Sequence, residues 1–254
     1  MRKRRLPVVP TIIAAYRDLA RLLTAMPALM GSAFLIIVAS SAGAELVPQR
    51  LWDQQLSGEA LGLAQNAVEA LLLTPVIIAI HRFVILDKIT RSYTLPIGEG
   101  VFGVFFGWLL ALKVLIGLPM DILGLLETLS RSIWTIAFAF AVATIAAATA
   151  VLRLLILLPA LAVGAAGATV SRAWADSKGY VLRILAVLVL ALLPWFAVGI
   201  GGAMLLGRGA MVAGSPLAML FLVMSGVVET IKLALAAVIA SYAFMALAEE
   251  VKRA

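Results

Sequence analysis

Residues 153–183 read RLLILLPALAVGAAGATVSRAWADSKGYVLR. The stretch begins at the end of one very long apolar run and finishes at the start of the next. Between the two lies a short amphipathic turn that carries Arg172, Trp174, Asp176, Lys178 and Gly179. Arg153 can lift its guanidinium to lipid headgroups while its stem stays among apolar chains. Pro159 limits continuation of the helix before it. Val170, Ala173, Trp174 and Ser177 share the side turned to lipid or protein, and Arg172 and Asp176 the wet side. Trp174 suits the interfacial aromatic belt, and Gly179 lets the chain turn into the next span. A chain leaves a bilayer, lies on its surface and re-enters in this way. The stretch therefore predicts an all-α polytopic membrane protein with amphipathic elbow helices at the interface.

Composition agrees. Hydrophobic residues make up 64% of the 254 and charged residues 13%, against roughly 45–50% and 25% in soluble domains. A soluble core of this size cannot hide the excess, so lipid must solvate part of it. The absence of cysteine removes disulfides, thiolate metal sites and cysteine nucleophiles. The net charge of +7 sits beside apolar runs, which points to an anionic membrane surface and away from nucleic acid. The opening MRKRRLPVVP is basic, but the charged residues that follow it argue against a cleaved signal.

Residues 1–26 read as a basic tail and an interfacial helix. Ile12, Ile13, Tyr16, Leu19, Ala20 and Leu23 fall on one arc, and Arg17, Asp18, Arg21 and Thr24 on the other. Residues 27–254 form one domain of about six spans, near 27–47, 62–86, 99–118, 132–158, 180–206 and 223–247. Pro75 and Pro194 lie inside spans and should kink them. With the N-terminus inside, the cytoplasmic side receives Arg2, Lys3, Arg4, Arg5, Arg17, Arg21, Arg82, Lys88, Arg91, Arg153, Arg172, Lys178, Arg183, Lys252 and Arg253. The other side receives only Arg50, Arg131 and Arg208, so both termini are expected in the cytoplasm. The loop at 48–60, with Trp52, Asp53 and Glu59, belongs outside. A faint repeat of three hairpins is visible, two of which end with an arginine inside an apolar run, Arg82 and Arg153.

Glu69, Lys113, Glu229 and Lys232 lie within the spans, at similar depth in the non-cytoplasmic half. A mid-depth charge costs at least ~2.5–3.5 kcal/mol, so such residues face inward and pair. Some of the four are expected to form one paired cluster, with Lys113 and Glu229 the pairing to test first, Asn66 as a neighbour, and Lys232, which shares a helical face with Glu229, able to snorkel out on its own. They either pin helices together or line a polar path. Gly103 and Gly107 give a close-approach surface, and Ala139, Ala143 and Ala147 a second one.

The run from Arg153 through Leu158, Pro159, Ala160, Trp174, Lys178 and Gly179 to Arg183 resembles the signature of the bacterial glycerophosphoryl diester phosphodiesterase membrane-domain family and its YciC-like relatives. HRFVIL at 81–86 is similar to the end of the second span in some members. The resemblance covers about 30 residues and implies a membrane module of a bacterial inner membrane without the catalytic barrel. This chain has Gly164 where members often carry an acid, and Ala173 where they often carry serine. One histidine, His81, and scattered acids suit neither metal sites nor the barrel's chemistry.

The expectation is a non-enzymatic structural, assembly or lipid-organising protein that needs no cofactor. A small transporter using the intramembrane charges is the alternative. Anionic phospholipid on the cytoplasmic side is the expected partner, with Arg172, Lys178 and Arg183 as possible headgroup contacts. A membrane-protein partner or a second copy is also possible. Topology is directly measurable: reporter fusions after Arg50, Leu125 and Gly209 should read as outside, and those after Lys88, Lys178 and Ala254 as inside. A single reversed sign would require another topology.

Overall fold

Proline, serine and glycine set the helix boundaries that apolar content alone does not. The computed structural model describes residues 6–46, 55–129, 132–206 and 215–248. The basic tail at Arg2–Arg5, the loop residues Arg50, Trp52 and Asp53, and Arg131, Arg208, Lys252 and Arg253 lie outside the described residues. The described residues form nine helices and no strand. They are α1 (Val8–Ala25), α2 (Pro27–Leu46), α3 (Gln55–Leu86), α4 (Gly100–Leu129), α5 (Ile133–Leu154), α6 (Leu157–Ala162), α7 (Val170–Asp176), α8 (Val181–Leu206) and α9 (Pro216–Leu247).

The protein is an all-α, multi-pass membrane protein. Five segments are each long and apolar enough to cross a bilayer: α3, α4, the α5–α6 unit, α8 and α9. α1 and α2 pass the same test only together and are bent by 98° at the break between them. α2 has 20 residues, about 30 Å at the helical rise, so the described residues hold five such spans, or six when the bent α1–α2 pair is counted as one.

Several helices outrun the expected spans. α9 begins at Pro216, not near 223, because Ser215 accepts a hydrogen bond from the Ala218 N–H at 3.0 Å and Pro216 occupies the first helical position. α3 starts at Gln55 and α4 continues to Leu129, through Pro119. α5 stops earlier than expected, at Leu154. Hydropathy delimits the part of a helix that lipid must cover, whereas caps delimit the helix itself.

Consecutive spans pack as hairpins, α2 with α3, α4 with α5 and α8 with α9. α3 and α9 then pack on each other and form the centre. In their most apolar stretches 56% and 44% of residues are buried, against 17% in α8. α8 turns Leu182, Leu193, Met204 and Leu205 outward, the surface that lipid covers. α1 packs across α8 and α9. It buries Thr11, Ala15, Asp18, Leu19 and Leu22, leaving Ile13 and Leu23 exposed. Asp18 therefore belongs to the protein side of α1 and not, as the helical wheel suggested, to the wet side.

The two small-residue surfaces have different fates. Ala147 is buried, and Ala139 and Ala143 are half-buried on the same side of α5. Gly103 and Gly107 instead look outward, with open space where a Cβ would go. The close approach that requires glycine is elsewhere: a Cβ on Gly226 of α9 would collide with Val38 and Phe34 of α2. Gly226→Ala should therefore destabilise the detergent-solubilised protein by about 1–3 kcal/mol through overpacking. Gly107→Ala should leave the melting temperature unchanged or slightly raised. Equal effects in a thermal melt would show that the α2–α9 contact is not tight.

Candidate functional site

The elbow is built around a break that Pro159 causes but does not occupy. A proline cannot donate to the carbonyl four residues earlier and crowds it, and that residue is Leu155. α5 ends at Leu154 accordingly, and α6 restarts at Leu157. Pro159 then sits in the first turn of α6, where its missing N–H costs nothing. The interruption thus lies ahead of Pro159, and the proline itself sits inside the next short helix. Leu157, Leu158, Pro159, Ala160 and Ala162 are all buried, because α6 is inserted among α3, α4 and α9. At its far end the Arg82 Nε–H donates to the Ala162 carbonyl at 2.8 Å. The stretch at 81–86 and the elbow, separate in sequence, meet through that bond.

Beyond α6, Gly164 takes φ +69° and releases the chain to the surface, where α7 lies. Ala173 and Ser177 are buried beneath α7, and Trp174 is 41% exposed. The Arg153 guanidinium stacks over the Trp174 ring at 4.5 Å, and its Nε is buried without a hydrogen-bond partner. Arg153 is thus turned onto Trp174, a cation–π contact, where free extension to headgroups was expected. Gly179 adopts φ +82°, the left-handed conformation that the turn into α8 requires. Arg183 stands over the Tyr180 ring at 5.8 Å. Lys178 and Arg183 are exposed and Arg172 is half-buried, so the expected headgroup contacts lie on the rim of the elbow.

The intramembrane charges do not form the single expected cluster. Lys113 of α4 pairs with Glu69 of α3 at 3.0 Å, and Lys232 pairs with Glu229 within α9 at 2.6 Å. The Lys113–Glu229 pairing is therefore corrected. The depths agree: counted from the helix ends on the elbow side, the four lie roughly 20–27 Å away at 1.5 Å per residue. Direction around the helix separates them. α3 turns Glu69 toward α2 and α4, where Ser40 lies 3.5 Å from its carboxylate. Gln65, one turn earlier, donates to the Ser40 carbonyl at 3.2 Å, whereas Asn66 is exposed. Ser40, Gln65 and Glu69 form the polar wall of an apolar groove of about 560 Å³ between α2 and α3. Lys232 faces α8 instead, 4.5 Å over the Phe196 ring.

Other polar residues lock the surface segments to the bundle. The Tyr242 hydroxyl of α9 donates to Asp18 at 2.6 Å. Arg21 bridges Asp18 at 3.2 Å and Asp87, just past α3, at 3.1 Å, and these carboxylates, Asp18 foremost, raise the Arg21 pKa above its ordinary value. Two tyrosines play matching roles. Tyr16 of α1 donates to the Ala191 carbonyl at 2.7 Å, and Tyr93 of the 87–99 segment to the Leu72 carbonyl at 2.9 Å. Each acceptor lies next to the carbonyl that a helix-interior proline deprives of its ladder bond, Leu190 for Pro194 and Leu71 for Pro75. Burial also pushes the Tyr93 phenol up. His81 sits in the core, with Nδ1 2.8 Å from Ser241 Oγ. Ser241 Oγ also bonds the Ala237 carbonyl at 3.0 Å, and the buried His81 Nε2 has no hydrogen-bond partner. Only the polarity of Gln65, Tyr16 and Tyr93 inside or beside apolar runs hinted at these roles. Among the described residues no three carboxylate or imidazole groups gather as a metal site.

The pairing is open to a direct test by thermal unfolding in detergent. Glu69→Gln and Lys113→Met should each cost about 1–2 kcal/mol, with the double variant costing clearly less than their sum. Lys113→Met combined with Glu229→Gln should be additive. Additivity in the first cycle would show that Glu69 and Lys113 are not coupled.

No family model, curated protein or solved structure matches the chain.

Proposed function

We propose that the protein is a non-enzymatic, lipid-organising module of a bacterial inner membrane, with both termini in the cytoplasm. One observation carries the reading: three surface segments are fastened to one end of the bundle by specific polar bonds, and two of them, α1 and the 87–99 segment, also to each other. α1 is held through Asp18–Tyr242 and Arg21–Asp87, the 87–99 segment through Tyr93, and the elbow through Arg82–Ala162. They present Arg17, Lys88, Arg91, Lys178 and Arg183 as exposed cations on a fixed scaffold. Each basic residue near an anionic leaflet contributes about 1 kcal/mol of attraction. A rigid basic platform at a membrane surface gathers anionic phospholipid without needing a reaction.

A transporter is the second reading, and the groove beside Glu69 favours it. Against it, each intramembrane charge has an oppositely charged partner within 3.0 Å, an arrangement suited to pinning helices. Purified protein in native-lipid nanodiscs, analysed by mass spectrometry, should retain phospholipid, and proteoliposomes should show no proton or ion flux above protein-free vesicles. Release of the folded chain free of lipid would overturn the lipid-organising reading. Flux that disappears in Glu69→Gln would establish the transporter.

A further inference from the structure

Two cavities open on either side of Arg82. One, of about 260 Å³, is lined by Arg82, Lys88, Leu86, Val101 and the chain at Ala162 and Gly164. The other, of about 130 Å³, shares Arg82 and Val101 and adds the hydroxyl residues Thr90, Ser92 and Thr94 together with Glu99. The bond from Arg82 Nε to the Ala162 carbonyl fixes the guanidinium plane and leaves its two terminal amino groups for another partner. Among the described residues no carboxylate lies within ion-pair distance of Arg82 or Lys88. The adjacent acid, Asp87, is bound to Arg21. The first cavity thus holds two cations and no carboxylate, and its rim is apolar, with Leu86 55% and Val101 39% exposed.

We propose that this is a binding site for a phosphate ester with a donor-bearing headgroup. Arg82 and Lys88 take the phosphate, the guanidinium fork matching its oxygens. The second cavity offers a carboxylate and three hydroxyls, which call for hydrogen-bond donors on the ester's alcohol, an amine or hydroxyls. The apolar rim suits the start of an acyl-glycerol, so a phospholipid is the better-fitting source. A free phosphate ester carries the same chemistry. The site is distinct from the elbow rim at Arg172, Lys178 and Arg183. The proposal deepens the lipid-organising reading and rests on it.

Arg82 also caps α6, so the test uses Lys88→Gln and Glu99→Gln, whose side chains are exposed. The full-length protein is placed in nanodiscs of phosphatidylethanolamine, phosphatidylglycerol and phosphatidylcholine, and the lipids that stay bound are counted by native mass spectrometry. Melting temperature is followed separately in detergent, with and without millimolar phosphoethanolamine. The wild type should retain the ethanolamine or glycerol lipid over the choline lipid, which has no donor on its headgroup. Lys88→Gln should weaken retention by about tenfold, the value of a charge-assisted hydrogen bond. Glu99→Gln should erase the headgroup preference, and both variants should melt like the wild type. Undiminished retention in Lys88→Gln overturns this site and leaves the lipid-organising reading standing. A wild type that retains no lipid, but gains stability from phosphoethanolamine in a Lys88-dependent way, keeps the site with a soluble ligand and ends that reading. Neither effect overturns both.

Discussion

A backbone carbonyl in an apolar medium must find a donor, and the structure is arranged around that requirement. Pro159 breaks the helical ladder at Leu155, and the short α6 that follows ends at the Ala162 carbonyl. Arg82 supplies a donor from another helix, so the break becomes a joint that ties α3 to the elbow. Tyr16 and Tyr93 add donors one residue past the carbonyls that Pro194 and Pro75 deprive. At these three prolines a polar side chain is delivered nearby from a segment at the elbow end or from a neighbouring helix.

This arrangement makes one end of the molecule continuous with its core. α6 belongs to the same packed cluster as α3, α4 and α9, and α1 shares it through Ala15, Leu19 and Leu22. The surface segments are therefore extensions of the bundle and not appendages. At the depth of the intramembrane charges a different economy operates. Acids and bases cancel pairwise, Glu69 with Lys113 between helices and Glu229 with Lys232 within one, so no isolated charge of these four faces hydrocarbon.

The spans, the elbow and the depth of the charges were legible because each depends on properties a residue carries alone: apolar content, a proline, a glycine, the length of an arginine. Gly179 was readable as a turn because left-handed φ selects glycine. What stayed hidden depends on direction around a helix or on partners far along the chain. The wheel put Asp18 on the wet side because nothing near it in sequence announces Tyr242. Four charges at one depth suggested one cluster, yet the rotation of α3 and α9 about their axes sends them to different neighbours. Arg82 and Arg153 stood out as paired features of a repeat, but their partners, Ala162 and Trp174, could not be read from spacing.

The clasp of Asp18 by Tyr242 spans 224 residues, and it fixes an order of assembly. α1 is made before α8 and α9, the helices that supply the surfaces it packs on. At the usual pace of synthesis, about 5–20 residues per second, α1 waits roughly 10–45 s for its partner to exist. Through that interval its amphipathic character serves a second purpose. An amphipathic helix suits the headgroup region while α8 and α9 are still to be inserted and packed against it.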